Sequence, residues 1–178
     1  MSYKTEQESF WAGEFGKDYI ERNQSAELIA SNTALFSKVL SRTSAVSSVI
    51  EFGPNIDMNL MAIRHLLPKA ELAAVEINPQ AAEQLREIEG LNVTNQSILE
   101  FRPEKQCDFV LIKGVLIHIN PNELQTAYQG LYETSSRYIC IAEYYNPSPV
   151  EIDYRGHQGK LFKRDFAGEI MDKYPDLK

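Results

Sequence analysis

The stretch Ser48-Val49-Ile50-Glu51-Phe52-Gly53-Pro54-Asn55 decides how the chain folds, because an apolar run ends there in an acid and a glycine. A second apolar run, Ala73-Ala74-Val75-Glu76-Ile77-Asn78, also ends in an acid. Glu76 follows Gly53 by 23 residues, about the length of one βαβ unit. In a Rossmann-like sheet, such a turn lets a ligand approach the backbone, and the carboxylate accepts hydrogen bonds from ribose hydroxyls. The stretch therefore predicts a nucleoside ligand between the first two strands.

The rest of the chain alternates between strand and helix patterns. Strands are predicted over residues 46–52, 71–77, 92–98, 107–115 and 137–145. Helices are predicted over residues 58–67, 79–88, 121–133 and 164–173, and a polar loop over 146–159. The first 45 residues have helical spacing over 5–23 and 24–40, with breaks expected at Gly13, at Gly16 and near Ser31-Asn32. The alternation predicts an α/β fold with a Rossmann-like, mostly parallel sheet and helices on both faces.

Parallel strands joined by right-handed crossovers place their carboxyl ends on one edge of the sheet, where ligands bind. Glu51, at the end of the first strand, is a candidate for orienting the amino-acid part of a zwitterionic cofactor, or else a structural cap or ion pair. Ser97 and Ile98, after the third strand, are candidates for contacting an adenine base, or else an ordinary strand end. The further residues that the sequence places in a nucleoside site are Gly53, Asn55, Glu76, Ile77, Lys113 and Gly114.

The loop after the first strand argues against a dinucleotide. Residues 53–58 contain one glycine where a dinucleotide site has three, and Asp57 adds negative charge where a pyrophosphate would lie. A nicotinamide-dependent oxidoreductase is therefore disfavoured. His118 is a candidate general base, since its ordinary pKa is near neutral, although a histidine that packs beside the site is the alternative interpretation.

Composition sets wider limits. The chain has 178 residues, a net charge of −7 and a pI near 5.0, which predicts one domain and argues against a nucleic-acid partner. Its two cysteines are expected to be buried thiols, and no Cys/His spacing indicates a metal site. The polar N-terminus is unlike a signal peptide, and no apolar run approaches the ~20 residues that cross a bilayer. These features predict a cytoplasmic protein with no membrane contact.

Residues 46–145 resemble the class I S-adenosylmethionine-dependent methyltransferases. The resemblance is carried by Glu51-Phe52-Gly53-Pro54-Asn55, by Glu76, by Ser97-Ile98-Leu99 and by Val115-Leu116-Ile117-His118-Ile119-Asn120-Pro121. Three segments, residues 10–23, 113–121 and 163–169, resemble more narrowly the methylases associated with pseudaminic acid biosynthesis. The resemblance implies S-adenosyl-L-methionine as cofactor and a small sugar or sugar nucleotide as methyl acceptor.

The family fold has seven strands, whereas five are predicted here. We therefore expect a sheet that lacks the last two strands and has strand five at an exposed edge, where a second copy pairs to form a homodimer. The chain is expected to form a single domain over residues 1–178. Within it we expect a helical lid over residues 1–45, a cofactor-binding core over 46–145, and an acceptor-side loop and terminal helix over 146–178.

The acceptor is expected beneath a lid made by the N-terminal helix and the 146–160 loop. Trp11 and Tyr19 are the candidate lid residues, and Tyr144, Tyr145, Asn146, Arg155 and His157 are the candidate acceptor contacts. Aromatic faces suit a cationic sulfonium, and an arginine suits a carboxylate or phosphate. The alternative function is a catalytically inactive methyltransferase-fold protein that serves in binding or as a scaffold.

Overall fold

The computed structural model describes residues 3–22 and 25–178. The helices are α1 (Glu6–Ala12), α2 (Glu14–Arg22), α3 (Ala26–Leu40), α4 (Met58–Leu66), α5 (Pro79–Arg86), α6 (Leu124–Thr134) and α7 (Phe166–Lys173). The strands are β1 (Ser48–Phe52), β2 (Glu71–Glu76), β3 (Leu91–Asn95), β4 (Cys107–Lys113), β5 (Ser135–Ala142), β6 (Val150–Glu151) and β7 (Phe162–Lys163). Short 3₁₀ turns at Leu116–His118 and Pro121–Glu123 connect β4 to α6.

Five parallel strands form the main sheet, in the order β3-β2-β1-β4-β5. This arrangement confirms the predicted α/β fold class and its five-stranded sheet. β1 lies at the centre, where Ile50 pairs with Ala73 on one side and with Val110 on the other. β5 lies at one edge, as expected from the sequence. The strand order reverses between β1 and β4, so the carboxyl ends of these two strands flank a crevice in the middle of the sheet edge, next to the end of β2.

The sheet is covered on both faces, which explains the nearly continuous apolar sequence of β4. Val110 and Ile112 pack on one face with Tyr128 and the other buried residues around α6. Phe109 and Leu111 pack on the opposite face with Phe36 of α3 and the buried residues of α4. Alternate side chains of one strand thus join two apolar layers and fix the sheet between them.

Several predicted strands end too late. β3 ends at Asn95 rather than at residue 98, because the chain turns at Ser97, whose carbonyl accepts from the amide of Phe101 at 2.9 Å. The predicted strand over 137–145 is shifted by two to three residues, since β5 covers Ser135–Ala142. The predicted loop over 146–159 was also wrong in part, because β6 lies within it and pairs antiparallel with β7. The polar residues that follow each strand concealed where the hydrogen-bonded ladder stops.

The N-terminal helices also differ from expectation. α3 continues through Ser31-Asn32 without a break. The Ser31 hydroxyl donates a hydrogen bond to the Leu28 carbonyl of the same helix at 3.0 Å, so this polar side chain has a partner without interrupting the helix. Gly13 separates α1 from α2 as predicted, but Gly16 lies inside α2 against the Trp11 backbone. The predicted boundary between the two helical segments, at residues 23 and 24, lies outside the described residues.

Three other features concern the cysteines, membrane-spanning helices and metal binding. Cys107 is buried and Cys140 half-buried, and both are free thiols. Within residues 3–22 and 25–178, no helix has the length and apolar character needed to cross a membrane. The same residues contain no group of three acidic, histidine or cysteine side chains that could hold a metal ion.

Candidate functional site

A cavity of about 440 Å³ lies at the carboxyl ends of the parallel strands. Its walls come from the segments that follow β1, β2, β3 and β4, and from α1 and α2. Small-molecule sites in proteins enclose about 300–1,000 Å³, so this volume suits a small ligand. The cavity is lined by these residues expected from the sequence: Trp11, Tyr19, Gly53, Asn55, Glu76, Ile77, Ser97, Ile98, Lys113, Gly114 and His118.

The turn after β1 depends on glycine at position 53. Gly53 has a φ of +72°, and its amide donates to the Val75 carbonyl at 2.8 Å. A Cβ atom at this position would lie 2.7 Å from Cγ2 of Val115, closer than van der Waals contact. The backbone conformation and the packing at position 53 therefore both require a residue without a side chain. The turn at this glycine brings β1, β2 and the segment after β4 together beside the cavity.

Glu76 ends β2 with its side chain buried and in the cavity wall. Its Oε2 atom accepts from the Asn55 amide at 2.9 Å, and its Oε1 atom accepts from the Asn78 amide at 2.8 Å. The carboxylate thus ties the loop after β1 to the start of α5. A carboxylate has about four acceptor positions, so lone pairs remain for further donors such as ribose hydroxyls. Burial raises the pKa of Glu76 to about 7, although the amides of Asn78 and Asn55 act to lower it.

Glu51 does not line the cavity, because β1 buries it completely. Its Oε1 atom accepts from the side-chain amide of Asn59 at 2.6 Å, while its Oε2 atom has no partner among the described residues. Burial raises the pKa of Glu51 to about 8, and the hydrogen bond from Asn59 opposes this shift. Asn59 lines the cavity, so its side chain connects the buried carboxyl group of Glu51 to the cavity wall.

The end of β3 receives a carboxylate from α1. The Ser97 hydroxyl donates to Oε1 of Glu8 in a short hydrogen bond, and its oxygen accepts from the Leu99 amide at 3.1 Å. Glu8 also closes a capping box at the start of α1, because its Oε2 atom accepts from the Thr5 amide at 2.8 Å. Glu8, Ser97 and Ile98 all line the same end of the cavity.

The segment after β4 forms the other end of the cavity. Lys113 and Gly114 line it there, as expected from the sequence. The chain then turns over Glu143, whose Oε1 atom accepts from the amides of Val115 and Leu116, both at 2.9 Å. Burial raises the pKa of Glu143 to about 7. This carboxylate fixes the backbone that carries the candidate base, His118.

His118 is buried between two aromatic side chains. Its ring centroid lies 4.5 Å from that of Trp11 and 4.8 Å from that of Tyr154. Its Nδ1 atom lies 2.5 Å from the Lys160 carbonyl, which accepts a proton from nitrogen and so places the hydrogen on Nδ1. Burial lowers the pKa of His118 to about 4, so the imidazole is neutral at pH 7 with an acceptor lone pair on Nε2. The packing role and the capacity to accept a proton therefore coexist in one side chain.

α1 covers the cavity and is held to distant parts of the chain. The Gln7 side chain donates to the Gly159 carbonyl at 2.9 Å and accepts from the Asn120 side chain at 3.1 Å. Glu6 forms a salt bridge with Lys160. α1 thus forms a packed cover that meets the segment between β6 and β7.

The acceptor residues expected in the 144–157 region divide into two groups. Tyr144 lines the cavity, but Tyr145, Asn146, Arg155 and His157 do not. His157 instead packs against Phe10 and Phe15 on the outside of the cover, and the Arg155 guanidinium lies 5.9 Å from the ring centroid of Tyr154. Tyr154, which the sequence analysis missed, takes their place in the wall.

Other missed residues are polar groups that reach the site from distant elements: Gln7, Glu8, Asn32, Asn59 and Asn78. The sequence did contain a signal for Glu8, since Thr5-Glu6-Gln7-Glu8 has the spacing of a capping box. That motif predicts a helix start, which is usually exposed, and does not predict contact with Ser97, 89 residues away.

No family model matches the sequence, and no curated protein matches it at a significant level. Solved structures do match. The plantazolicin methyltransferase BpumL, in complex with a pentazolic desmethylPZN analog and SAH, is 18% identical with a TM-score of 0.61, over 78% of this chain and 57% of BpumL. The sugar N-methyltransferase KedS8 from Streptoalloteichus sp ATCC 53650 is 15% identical with a TM-score of 0.62, over 88% of this chain and 65% of KedS8. DhpI in complex with SAH is 12% identical with a TM-score of 0.65, over 96% of this chain and 85% of DhpI.

These likenesses establish the fold. The chain has the Rossmann-like α/β architecture of methyltransferases of known structure. It spans less than two thirds of the length of BpumL and KedS8.

Proposed function

We propose that this protein is an S-adenosyl-L-methionine-dependent methyltransferase that acts on a small sugar-like or sugar-nucleotide acceptor. The observation that carries the proposal is the buried carboxylate of Glu76, which lies in the wall of a cavity beside the Gly53 turn. Its position at the end of β2 suits a ribose, and its remaining lone pairs suit two hydroxyl donors.

The charge around the cavity favours this cofactor over a dinucleotide. Asp57 caps α4 without a side-chain hydrogen bond to it, and burial raises the pKa of Asp57 to about 7. With Glu51 and Glu76 nearby, ionised carboxylates would repel a pyrophosphate at this helix end. The same carboxyl groups tolerate a ligand without phosphates that carries an ammonium and a sulfonium, because both of those groups are cationic.

The residues present fit such a cofactor along its length. Glu76 would hold the ribose, and Asn59, whose Oδ1 atom is buried without a partner among the described residues, can accept from an ammonium. Lys113 and Gly114 would lie beside the reacting end, and Trp11 and Tyr19 would offer aromatic faces to the sulfonium. When bound, S-adenosyl-L-methionine supplies an electrophilic methyl group for in-line displacement.

The protein's own contribution is to position the acceptor and to remove its proton. α1 lies over the cavity, where it would help to keep an acceptor close to the reacting end. Nε2 of His118 can accept the proton of an acceptor hydroxyl or ammonium, because Nδ1 keeps its hydrogen on the Lys160 carbonyl. Tyr144 and Tyr154 line this side of the cavity, where they would contact a small acceptor. The sugar-like acceptor is supported by the sequence resemblance and by the likeness in fold to a sugar N-methyltransferase. A place in pseudaminic acid biosynthesis is supported by the sequence resemblance alone.

Calorimetry with S-adenosylmethionine and S-adenosylhomocysteine tests the cofactor half of the proposal. We expect both to bind and Glu76→Ala to weaken them at least tenfold, because the variant removes a charged hydrogen-bond acceptor worth ~1.5–3 kcal/mol. Absence of binding by the intact protein would refute the proposal.

His118 provides the test of catalysis. His118→Asn keeps a side-chain N–H for the Lys160 carbonyl and lacks Nε2, whereas His118→Gln reaches towards the position of Nε2. If His118 is the base, the Asn variant loses ~100-fold or more in methyl transfer while it keeps its affinity for S-adenosylhomocysteine. Equal activity of the wild type and the Asn variant would assign His118 to packing.

The second candidate function is an inactive binding or scaffold protein with this fold. The low pKa of His118 favours it, because a group with a pKa of about 4 is a weak base at neutral pH. This candidate predicts cofactor binding without turnover on any sugar acceptor. We further propose that the protein is cytoplasmic and that the exposed β5 edge pairs with a second copy.

A further inference from the structure

The order of the strands gives the cavity two distinguishable ends. β3 lies on one side of β2 and its Glu76, whereas β1, β4 and β5 lie on the other side. The reacting end belongs with Gly114 and His118, which follow β4. A nucleoside held at Glu76 by its ribose therefore directs its base towards Ser97 and Ile98, after β3.

At that end, the Ser97 hydroxyl is already committed. Its one proton goes to Glu8, and the Leu99 amide occupies one of its lone pairs. Ser97 therefore has no proton left to donate to a base while Glu8 is in place. Ile98, which is buried, supplies an apolar surface for the ring face but no hydrogen bond from its side chain.

Glu8 has acceptor capacity to spare. Its carboxylate accepts from the Ser97 hydroxyl, from the Thr5 amide and, at 3.3 Å, from the Thr5 hydroxyl. A carboxylate has about four acceptor positions, so about one remains for a further donor. Glu8 is 5% exposed, which is far more burial than a capping box requires, since the capping interaction with Thr5 uses one oxygen. Burying a carboxylate costs free energy, so a purely structural helix cap gains nothing from this position.

We propose that Glu8 accepts a hydrogen bond from the exocyclic amine of a bound adenine, so that α1 supplies the base specificity of the site. This assignment rests on the proposed nucleoside-cofactor function. Adenine presents a donor amine where hypoxanthine presents an acceptor oxygen, and a carboxylate attracts the first and repels the second. α1 is thereby a part of the cofactor site as well as a cover over the cavity.

The test is calorimetry on the full chain with two probes, S-adenosylhomocysteine and S-inosylhomocysteine. The wild type is expected to bind the adenine probe ~10–100-fold more tightly, the range given by a hydrogen bond to a charged group. Glu8→Gln is expected to reduce this preference to ~3-fold or less, because an amide can turn either its oxygen or its NH₂ towards the base. The Glu8→Gln variant is expected to bind the hypoxanthine probe as tightly as the wild type or more tightly.

Glu6→Gln is the matched control. It makes the same chemical change on the same helix and removes the salt bridge that anchors α1 to Lys160, but Glu6 does not line the cavity. We expect it to keep the preference for adenine even where it weakens both probes equally.

Three results would overturn the assignment: equal binding of the two probes by the wild type, an equal loss for both probes in Glu8→Gln, or loss of the preference in Glu6→Gln. In each of them the wild type still binds S-adenosylhomocysteine, so the proposed function stands. Failure of the wild type to bind either probe refutes the proposed function and this assignment together. If Glu8→Gln binds neither probe, Glu8→Asp replaces it, because its carboxylate is one methylene shorter and lies farther from the base. A reduced preference for adenine in this variant supports the assignment, and an unchanged preference overturns it.

Discussion

The ionisation of Glu76 should control how tightly the protein binds its nucleoside ligand. Ribose hydroxyls donate hydrogen bonds, so they favour the ionised carboxylate over the protonated acid. Because burial raises the pKa of Glu76 to about 7, only about a tenth of the molecules carry the charge at pH 6 and about nine tenths do so at pH 8. The affinity for S-adenosylhomocysteine is therefore expected to rise ~10-fold between pH 6 and pH 8.

Calorimetry at several pH values measures this change directly. Titrations at pH 7 in buffers with different ionisation enthalpies should also detect the release of about half a proton, because the bound ligand lowers the pKa of Glu76. Glu76→Gln keeps the size of the side chain and removes its charge, so it should bind more weakly and lose most of the pH dependence. Asp57→Asn removes a neighbouring carboxyl group with a similarly raised pKa and serves as the control. An affinity that does not change between pH 6 and pH 8, or a Glu76→Gln variant with the pH dependence of the wild type, would refute the reasoning.

Three further predictions concern stability and assembly. Gly53→Ala should lower the free energy of unfolding by ~2–4 kcal/mol, because the positive φ at this position and the nearby Val115 side chain both oppose a Cβ atom. A Cβ atom at position 114 would have no neighbour within 4 Å, so Gly114→Ala should lower the free energy of unfolding only by the ~1–2 kcal/mol of backbone strain. Urea denaturation measures both, and equal losses would contradict the role given to Val115. The pKa of Glu51 is raised to about 8, so its stabilising contribution is complete below pH 4.5 and is lost as the pH rises through 8. Glu51→Gln should therefore gain stability relative to the wild type by up to ~1.4 kcal/mol per pH unit over that interval, and a constant difference would show that Glu51 is not the group responsible. Light scattering should detect a dimer formed through the β5 edge, and a monomer at high concentration would count against it.

The part of the cavity that we propose to hold the cofactor was predictable from the sequence, because its residues follow strand ends. Gly53, Glu76, Ser97 and Gly114 each end or follow an apolar run, and a parallel sheet brings such positions together whatever the details of packing. The predicted fold class depended on the same periodicity. The ends of β3 and β5 were less predictable, since polar residues after a strand resemble polar residues within an edge strand.

The part of the cavity that we propose to hold the acceptor could not be predicted from the sequence in the same way. Tyr154 lines the cavity while the adjacent Arg155 does not, and no local pattern distinguishes the two before the segment between β6 and β7 is folded against α1. Glu8 likewise reaches Ser97 because α1 packs over the end of β3. Contacts of this kind depend on how separate elements dock, and a single sequence carries no periodic signal for docking.

The links that hold α1 in place join residues very far apart along the chain. Gln7 meets Gly159, and Glu6 meets Lys160, across separations of 152 and 154 residues. During synthesis at about 5–20 residues per second, the N-terminal helix must therefore wait roughly 10–30 s for its docking surface to emerge. The parallel sheet can assemble before then from nearer neighbours, because contacts between close residues cost less chain entropy. The strands of the main sheet can thus pair before the ligand site is complete, and for that interval the apolar face of α1 is exposed to chaperones and proteases.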